Sequence, residues 1–480
     1  MTTRKHKKKI KERTRKNATR KKYGGKVFES GGYGCLFSPP LKCKNISNMN
    51  LLEGTYVTKL MKKKYAKQEY DEISKFEKIL KNIPNYEDYF LVKNFELCIP
   101  EKLTKEDLIH FNENCSALSN DELNKKNINE KIHEFEAIQM PFGGIDIFDY
   151  VYKIRFDNSK MIQLNQTLIN LLKNGIVKMN ELGVYHGDIK DSNVLISKKN
   201  NSIRARLIDW GLSKIYKGEE KIPDVFSNRP FQYNLPFSCI LLSRHFRETC
   251  VNFLNTTPNP SHSELKEFIH NYLKTKRHFS KHLIHIHRSI QVLFKKEFFI
   301  HKHSGKSFDI KYAYEYICNY LLKILEKYIK NGTFHVMEYF KQVYLKNLDV
   351  WGFVSIYTYF IDYITNKNRK YGIKHFKSAQ LKLVNKVKDA YSLLLNSPDK
   401  AVDINSLVKI LNDLNPLFND SLREEFKPKE KSIFKLFDYI SGNKMNHSEV
   451  ISENNKSKIV SSKKNTSKNT TKKRMMTHKN

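Results

Sequence analysis

Cysteine pairs, long apolar runs and acidic residues are all scarce in this sequence. Its seven cysteines are scattered, and none forms a Cys-x-x-Cys pair. We therefore expect reduced thiols in a cytosolic or nuclear setting rather than a disulfide framework. No apolar run reaches the ~20 residues that span a bilayer, and no apolar stretch follows the charged N-terminus as in a secretory signal. These absences predict a cytoplasmic protein with no membrane span.

The charge is strongly unbalanced, because 86 Lys and Arg stand against 50 Asp and Glu and give a net charge of +36. Residues 1–22 hold twelve basic residues and one acid, Glu12, and residues 441–480 are rich in Lys, Ser, Asn and Thr. Both segments lack the apolar content that offsets ordering entropy, so we predict disordered basic tails. Such tails can bind nucleic acid or an acidic partner through counterion release. A plainer explanation is the Lys- and Asn-rich composition of the whole chain.

Between the tails, residues 23–440 have the apolar content of one large folded region. Four short apolar runs in its first part predict strands: residues 27–28, 35–37, 56–61 and 136–140. Residues 63–80 carry apolar side chains at helical spacing, and residues 100–133 are polar and Asn-rich, as in an insertion. This part therefore predicts mixed strands and helices.

The second part of the folded region is mostly helical. An apolar stripe from Leu164 to Leu182 predicts a helix that ends at Gly183. Runs at 193–196 and 206–208 predict two strands joined by the polar loop 197–202. Helical patterns then dominate from about 240 to 440. The predicted fold class is α+β.

The stretches 184–196 and 207–211 carry the candidate chemistry. Phosphoryl transfer needs positioning of the reactants and neutralisation of phosphate charge. Asp188 can orient an attacking hydroxyl and accept its proton, and Lys190 can meet the γ-phosphate. Asn193 and Asp209 offer oxygen atoms to Mg²⁺ or Mn²⁺. The alternative is a polar loop between a helix and a hairpin whose acids are merely solvated.

This pattern resembles the protein-kinase catalytic loop and the metal-binding Asp-x-Gly motif that follows it. Two positions depart from the usual family pattern, since Gly187 stands where an arginine is common and Trp210 where a phenylalanine is common. Without that arginine, a phosphate on the activation segment lacks its usual partner. We therefore do not expect activation by phosphorylation of that segment. Trp210 is expected to fill the aromatic position.

The glycine cluster near residue 31 resembles the loop that covers the phosphates of ATP in kinases. Gly31, Gly32 and Gly34 lie between two predicted strands, upstream of the candidate catalytic loop. Glu29 occupies the position of the first family glycine. The resemblance implies that Leu36 covers the adenine ring. The alternative is an ordinary glycine turn.

Three further positions follow from the same resemblance. Lys59, which follows a short apolar strand, would pair the α- and β-phosphates, with Glu69 as its helix partner and Glu72 as the second choice. Residues 139–144, which include Met140, would form the hinge that receives the adenine edge. Asp349 would start the central helix and brace the catalytic loop from behind.

The combined motifs look like those of the kinase-like proteins of large nucleocytoplasmic DNA viruses. The resemblance covers about 25–215 and 225–365, and it makes 228–237 the substrate-facing end of the activation segment. It implies a bilobal fold, with a small lobe at 23–140 and a large lobe at 141–440 that includes a helical insertion at 238–345. It further implies ATP with Mg²⁺ or Mn²⁺ as cofactors, and a place in host cytoplasm or virions.

The expected function is a serine/threonine protein kinase that transfers the γ-phosphate of ATP to a protein hydroxyl. A small-molecule kinase of the aminoglycoside or sugar type is a rival, against which Lys190 argues because lysine is rare there. A pseudokinase scaffold is a second rival, favoured by the missing first glycine. A nucleic-acid-binding virion protein, acting through the basic tails, is the third.

Overall fold

The computed structural model describes residues 26–31, 33–46, 55–119, 122–154, 157–275, 311–358, 360 and 378–418. The predicted tails, Gly32 and residues 276–310 of the predicted insertion lie outside the described residues. The chain forms two compact units. Unit 1 comprises the described residues up to Tyr70 together with Asn94–Phe142, and unit 2 comprises Asp71–Lys93 and the described residues from Gly143 onward. The second boundary lies two residues from the predicted division at 140/141.

Unit 1 is built on an antiparallel sheet with strand order β1-β2-β3-β5-β4. Its strands are β1 (Lys26–Ser30), β2 (Gly34–Ser38), β3 (Tyr56–Lys62), β4 (Glu96–Cys98) and β5 (Phe135–Pro141). Helix α1 (Lys63–Leu80) follows β3 directly and has the bounds that its apolar spacing predicts. The four predicted strands are confirmed, each within a residue or two at its ends.

The two faces of this sheet are covered differently. On one face, Met61 and Ile138 pack against Ala66 of α1. On the opposite face, the side chains of Phe37, Leu60 and other buried residues meet residues 100–133. The alternation of side chains along each strand separates these two sets. The predicted insertion is therefore the cover of one sheet face.

Short helices and asparagine side chains give this cover its shape. Helices α2 (Phe111–Asn114) and α3 (Ser116–Ser119) place Phe111, Cys115 and Leu118 in the core. Asn129 pairs with both the N–H and the C=O of Leu103, at 2.7 and 2.8 Å. These bonds satisfy backbone groups that no strand ladder reaches. The Asn-rich composition, which suggested only a polar loop, thus supports a packed segment.

Unit 1 contains two disulfides, one of which fastens the cover to the sheet. Cys35 of β2 is bonded to Cys115, and Cys43 is bonded to Cys98 of β4, across separations of 80 and 55 residues. The expectation of reduced thiols is therefore wrong for these four cysteines. Local spacing carried no signal because each partner arrives from a distant segment. Among the described residues, Cys239, Cys250 and Cys318 are free and buried, as expected.

Unit 2 contains small antiparallel sheets. One has the order β6-β8-β9 and a second pairs β7 with β10. Their strands are β6 (Ile145–Asp146), β7 (Val184–Tyr185), β8 (Val194–Lys199), β9 (Ser202–Leu207) and β10 (Lys214–Ile215). The predicted loop 197–202 is wrong, because the strands continue to a tight turn at Asn200 and the next residue. Asn200 has a φ of 53°, which asparagine tolerates better than most residues.

Helices form most of unit 2, which confirms the α+β class. The helices in the first half are α4 (Ile147–Ile154), α5 (Asn158–Asn170), α6 (Val177–Glu181), α7 (Asp224–Ser227) and α8 (Cys239–Leu242). They are followed by α9 (Arg244–Thr256), α10 (His262–Thr275), α11 (Lys311–Tyr328), α12 (Val336–Tyr339), α13 (Leu345–Ile356), α14 (Ser378–Leu395) and α15 (Ile404–Asn412). Between β11 (Ile329–Lys330) and β12 (Thr333–Phe334) the chain makes a short hairpin. No helix of the described residues is both long and apolar enough to cross a membrane.

Helix α13 is buried on nearly all sides and forms the centre of unit 2. Helical structure begins upstream at Val336 and passes through a π-helical segment, Phe340–Tyr344. The expectation that Asp349 starts this helix is therefore wrong, since it lies in the middle of α13. A helix that is apolar all round is typical of a core element.

Candidate functional site

The loop between β7 and β8 is held from behind by Asp349. The carboxylate of this residue, which is 1 % exposed, accepts hydrogen bonds from the backbone N–H groups of His186 and Gly187 at 2.9 and 2.8 Å. It also accepts one from the side-chain amide of Asn180 at 2.8 Å. Two buried backbone donors and one partly buried amide are thereby satisfied by one acid. The predicted bracing role of Asp349 is confirmed.

Gly352, one turn after Asp349, lets α13 approach this loop closely. A Cβ atom at this position would lie 2.6 Å from the carbonyl oxygen of Ile189. Any larger residue would push the helix and the loop apart, because real Cβ atoms do not approach so closely. The backbone of the candidate site is therefore fixed both by hydrogen bonds and by contact with the core helix.

His186 is fully buried and fixes the loop from inside. Its Nε2–H donates to the carbonyl oxygen of Ile208 at 2.9 Å, and its Nδ1 accepts the backbone N–H of Asp188 at 3.3 Å. Burial lowers the pKa of the imidazole, against the opposing charge of Asp349. A neutral ring with one donor and one acceptor fits both contacts. His186 thus links Asp188 to the strand that leads to Asp209.

The carboxylate of Asp188 is the centre of the site. Lys190 donates to Oδ2 at 2.8 Å, and Asn193 donates to the same oxygen at 3.1 Å. Arg229 and Asn234 donate to Oδ1 at 2.8 and 2.9 Å. Burial raises the pKa of Asp188, but these hydrogen bonds and positive charges outweigh it, so the pKa lies below its ordinary value. The group is therefore held as a carboxylate that can accept a proton.

Arg229 and Asn234 were missed as site residues. The segment 228–237 was expected to face a substrate, and Arg229 and Asn234 were given no role at Asp188. Arg229 is 8 % exposed and lies among apolar neighbours such as Phe226 and Phe231. A single arginine in a run that is otherwise mainly apolar was the available signal, since buried arginine needs an anionic partner.

Asp209 has an unusual backbone conformation. Its φ of 63° and ψ of 73° lie in the left-handed region, which non-glycine residues rarely adopt. Such strain costs on the order of 1–3 kcal/mol and is concentrated at functional sites. Its carboxylate is exposed and accepts no side-chain hydrogen bond or ion pair from the described residues. These features agree with a carboxylate kept available for a ligand.

Trp210 is the aromatic residue expected to fill the position after Asp209. It is 4 % exposed, and its ring lies 5.3 Å from that of Phe76, 5.8 Å from that of Phe90 and 5.0 Å from that of His186. The expected packing role is confirmed. These contacts also explain why residues 71–93 belong to unit 2 rather than to the predicted small lobe.

Asn193 and Asp209 have the donor chemistry that a divalent cation needs. Because the amide nitrogen of Asn193 donates twice to Asp188, its amide oxygen is the atom left for a metal. Within the described part of the chain, no three His, Cys, Asp or Glu side chains come together as a metal site. Mg²⁺ is typically held by one or two protein oxygens with substrate phosphates, so this pair fits the expected ion.

In unit 1, Lys59 and Glu69 form the expected ion pair. The Nζ atom of Lys59 lies 2.8 Å from Oε1 and 2.7 Å from Oε2 of Glu69. The two side chains are 18 % and 26 % exposed. The ammonium therefore lies between β3 and α1, held by a carboxylate but open to solvent on one side.

The strand register places three other residues that were predicted to contact the nucleotide on the same face of the sheet as Lys59. Leu36 is paired with Lys59, Gly34 with Met61, and Met140 with Val57. Directly paired residues share a face, and so do residues two apart. Gly34, Leu36, Lys59 and Met140 thus lie on one face, opposite the disulfide-bonded cover.

The glycine turn has one position that only glycine can fill. A Cβ atom at Gly34 would lie 2.5 Å from the carbonyl oxygen of Leu60. Gly31 donates its N–H to the carbonyl oxygen of Gly34 at 2.9 Å and has room for a side chain. Gly34 therefore explains the close packing of β2 on β3, whereas Gly31 closes the turn.

Two positions of the predicted hinge have no free backbone N–H. Pro141 has no N–H, and the N–H of Phe142 donates to the carbonyl oxygen of Thr55 at 2.7 Å.

Chemically, the loop around Asp188 can accept a proton, neutralise a phosphate and supply oxygen to a metal, all within one short segment. Such a combination is suited to phosphoryl transfer, in which positioning and charge neutralisation do most of the catalysis. A scan against protein-family models finds no match for this chain, and a search of curated proteins finds none either.

Proposed function

We propose that this protein is an ATP-dependent serine/threonine protein kinase. The observation that carries the proposal is the geometry of the loop around Asp188. There the carboxylate lies 2.8 Å from the ammonium group of Lys190 and 3.1 Å from the amide of Asn193. A merely solvated polar loop has no need for a buried carboxylate surrounded by donors. The bracing by Asp349 and the strained backbone of Asp209 support the same interpretation.

In the proposed reaction, an acceptor hydroxyl attacks the γ-phosphorus of ATP. The bond to the oxygen that bridges the β- and γ-phosphates breaks, and the proton of the hydroxyl passes to Asp188. Lys190 neutralises charge on the γ-phosphate. Asn193 and Asp209 would hold Mg²⁺ or Mn²⁺, which neutralises charge on the phosphate oxygens when bound.

Unit 1 supplies the residues proposed to bind the nucleotide. Lys59, held by Glu69 at 2.7 Å, would pair the α- and β-phosphates. Gly31, Gly34, Leu36 and Met140 would contact the rest of the nucleotide, since the last three share the face of Lys59. Gly32 is proposed for this role on sequence grounds alone.

The finer description of the fold belongs to the same proposal. We assign unit 1 to the small lobe and unit 2 to the large lobe of a bilobal kinase fold. The resemblance to kinase-like proteins of large DNA viruses would place the protein in host cytoplasm or in virions. Of these two, the disulfides of unit 1 favour the virion, because cytosolic thiols are kept reduced.

A nucleotide-binding scaffold without catalytic activity is the second candidate. One observation favours it, namely that both oxygens of Asp188 already accept hydrogen bonds in this structure. An acceptor hydroxyl would have to displace one of these donors. A small-molecule kinase has no comparable support, because lysine is rare in those families at the position of Lys190.

The test is transfer of γ-labelled phosphate from ATP to casein in the presence of Mg²⁺ or Mn²⁺. Wild type is compared with Asp188→Ala and Asp209→Asn, and Asp224→Asn is the matched control. Asp224 is a suitable control because it lies in the same unit and its side chain is 75 % exposed. We expect each site variant to lose at least roughly 10²-fold in rate, the lower end of what a positioned acid or base contributes.

Transfer to serine or threonine that both site variants abolish, and the control retains, would establish the proposed function. No transfer, combined with a melting temperature that ATP and Mg²⁺ still raise, would favour the scaffold or a small-molecule kinase. If ATP neither reacts nor raises the melting temperature, the assignment of the site is wrong.

A further inference from the structure

The four donors around Asp188 divide by oxygen atom and by origin. Oδ2 accepts from Lys190 and Asn193, which belong to the loop of Asp188 itself. Oδ1 accepts from Arg229 and Asn234, which belong to the segment 228–237. A carboxylate has about four acceptor positions, so Asp188 has its full complement.

The two sets also differ in exposure and in how firmly they are held. The side chain of Lys190 is 30 % exposed, whereas that of Arg229 is 3 % exposed. The same Nη2 atom of Arg229 also donates to Oε1 of Gln232 at 2.8 Å. The amide of Asn234 also donates to the carbonyl oxygen of Ile189 at 3.2 Å. The donors to Oδ1 are therefore buried and fixed, and the strongest donor to Oδ2 is accessible.

Arg229 is costly to keep in this position. Its Nε and Nη1 atoms are buried and have no hydrogen-bond partner among the described residues. A buried guanidinium with unpaired nitrogens is unfavourable, and its ion pair with Asp188 offsets only part of that cost. Stability alone therefore gives a poor reason for an arginine here.

Gly187 lies beside this arginine. A Cβ atom at Gly187 would lie 3.6 Å from Nη1 of Arg229. The φ of Gly187 is +70°, a conformation that favours glycine. The glycine that stands in place of the usual arginine thus adjoins a guanidinium brought in from another segment.

We propose that Arg229 is a positioning residue for the phosphoryl transfer, which rests on the proposed function. Arg229 and Asn234 hold Oδ1, so that Oδ2 is the oxygen that receives the acceptor proton. Lys190 leaves Oδ2 when its ammonium turns to the γ-phosphate of ATP. The hydroxyl then takes the vacated position, attacks the γ-phosphorus, and gives its proton to Oδ2 as the bond to the bridging oxygen breaks.

The test compares the wild-type protein with Arg229→Met and Arg229→Lys in steady-state transfer of phosphate to casein. Methionine keeps most of the volume without the charge, and lysine restores a charged donor. Arg244→Met is the control, because the side chain of Arg244 is 83 % exposed and pairs only with Glu248 in the described structure. The melting temperature of each protein, with and without ATP and Mg²⁺, reports whether it folds and binds nucleotide.

We expect Arg229→Met to lower kcat by about 10²-fold, the loss that a misplaced reacting group can cause. Its KM for ATP should stay within about twofold of wild type, since a residue that acts on the chemical step through Asp188 lowers kcat and leaves ATP binding in place. The kcat of Arg229→Lys should be at least tenfold higher than that of Arg229→Met. The kcat of Arg244→Met should match that of wild type.

Three results would overturn the proposal. The first is a folded Arg229→Met protein that retains the kcat of wild type. The second is an equal loss in Arg229→Met and Arg229→Lys together with a lost response to ATP, which is what a purely structural role produces. The third is a wild-type protein without transfer, which removes the proposed function itself and is recognised before any variant is measured.

Discussion

The loop around Asp188 and the pair formed by Lys59 and Glu69 are held in place in different ways. Asp188 is buried and accepts hydrogen bonds from four side chains, and Asp349 braces the backbone of the two residues before it. Lys59 has one carboxylate partner and is 18 % exposed. The first arrangement depends on several distant segments, and the second on one strand and the helix that follows it.

This difference indicates which part of the candidate site is held more rigidly. A buried network loses much when one member is removed, because the remaining groups are left without partners and without water. A partly exposed ion pair loses little, because water replaces the missing partner. We therefore expect stability to respond strongly at the Asp188 loop, and activity more than stability to respond at Lys59.

Asp349→Ala should have the largest effect. It leaves two buried backbone donors and the partly buried amide of Asn180 without their acceptor, each at about 1–3 kcal/mol, so we expect about 4 kcal/mol or more of lost stability. Urea unfolding measures the loss, and phosphate transfer should vanish with it. Asp389→Ala is the control, since the side chain of Asp389 is 53 % exposed. A stable and active Asp349→Ala protein would contradict the expectation that the Asp188 loop depends on its buried hydrogen bonds.

Loss of the disulfides should have the second-largest effect on stability, because covalent bonds hold unit 1 together as buried hydrogen bonds hold the Asp188 loop of unit 2. Loop closure predicts about 4 kcal/mol for a single bond that closes a loop of this size. Cys35→Ser combined with Cys115→Ser should lower the free energy of unfolding, measured in urea, by that amount. Dithiothreitol should destabilise wild type and leave a variant with all four cysteines replaced unaffected. Equal stability with and without the bonds would contradict this expectation.

Lys59→Met and Glu69→Gln should change activity more than stability. We expect less than about 1 kcal/mol of lost stability, since the pair is partly exposed. The value of kcat/KM for ATP should fall by about 10²-fold in Lys59→Met, as when one preorganised charged donor is lost, and by less in Glu69→Gln. Urea unfolding and transfer kinetics separate the two effects. A loss of several kcal/mol would show that unit 1 is as tightly coupled as the Asp188 loop.

Glu181→Gln should have the smallest effect, and it tests the comparison at an exposed ion pair. Glu181 pairs with Lys178 at 2.8 Å, but both side chains are more than half exposed. We expect less than about 0.5 kcal/mol of lost stability and unchanged transfer. Urea unfolding provides the measurement. A larger loss would mean that exposure is a poor guide to the strength of ion pairs in this protein.

The features that the sequence predicted well are those encoded over short distances. The apolar spacing of α1 set both of its ends, and Lys59 and Glu69 are ten residues apart across one junction. The residues from Asp188 to Asn193 share one loop. Local sequence carries such information because the chain has few ways to arrange neighbours once the strand or helix is known.

The features that the sequence did not predict depend on the return of distant segments. Arg229 lies 41 residues from Asp188 and acquires its role only when the segment 228–237 packs against α13 and the loop. The disulfides join residues 80 and 55 apart, and the bond from Cys35 to Cys115 depends on the packed cover of residues 100–133. Asp349 was expected from a family resemblance rather than from any spacing in the chain.

The connectivity of the disulfides has a consequence for how the protein is made. A chain emerges from the ribosome N-terminus first, so Cys35 and Cys43 are exposed before either partner has been synthesised. Cys98 then meets two candidates, and its native partner is Cys43. In the described sheet, β4, which carries Cys98, pairs with β5, and β5 is synthesised after all four cysteines. Oxidation that runs ahead of translation would therefore trap wrong pairs, and good yields should require oxidation delayed until residue 141 has emerged, or a disulfide isomerase.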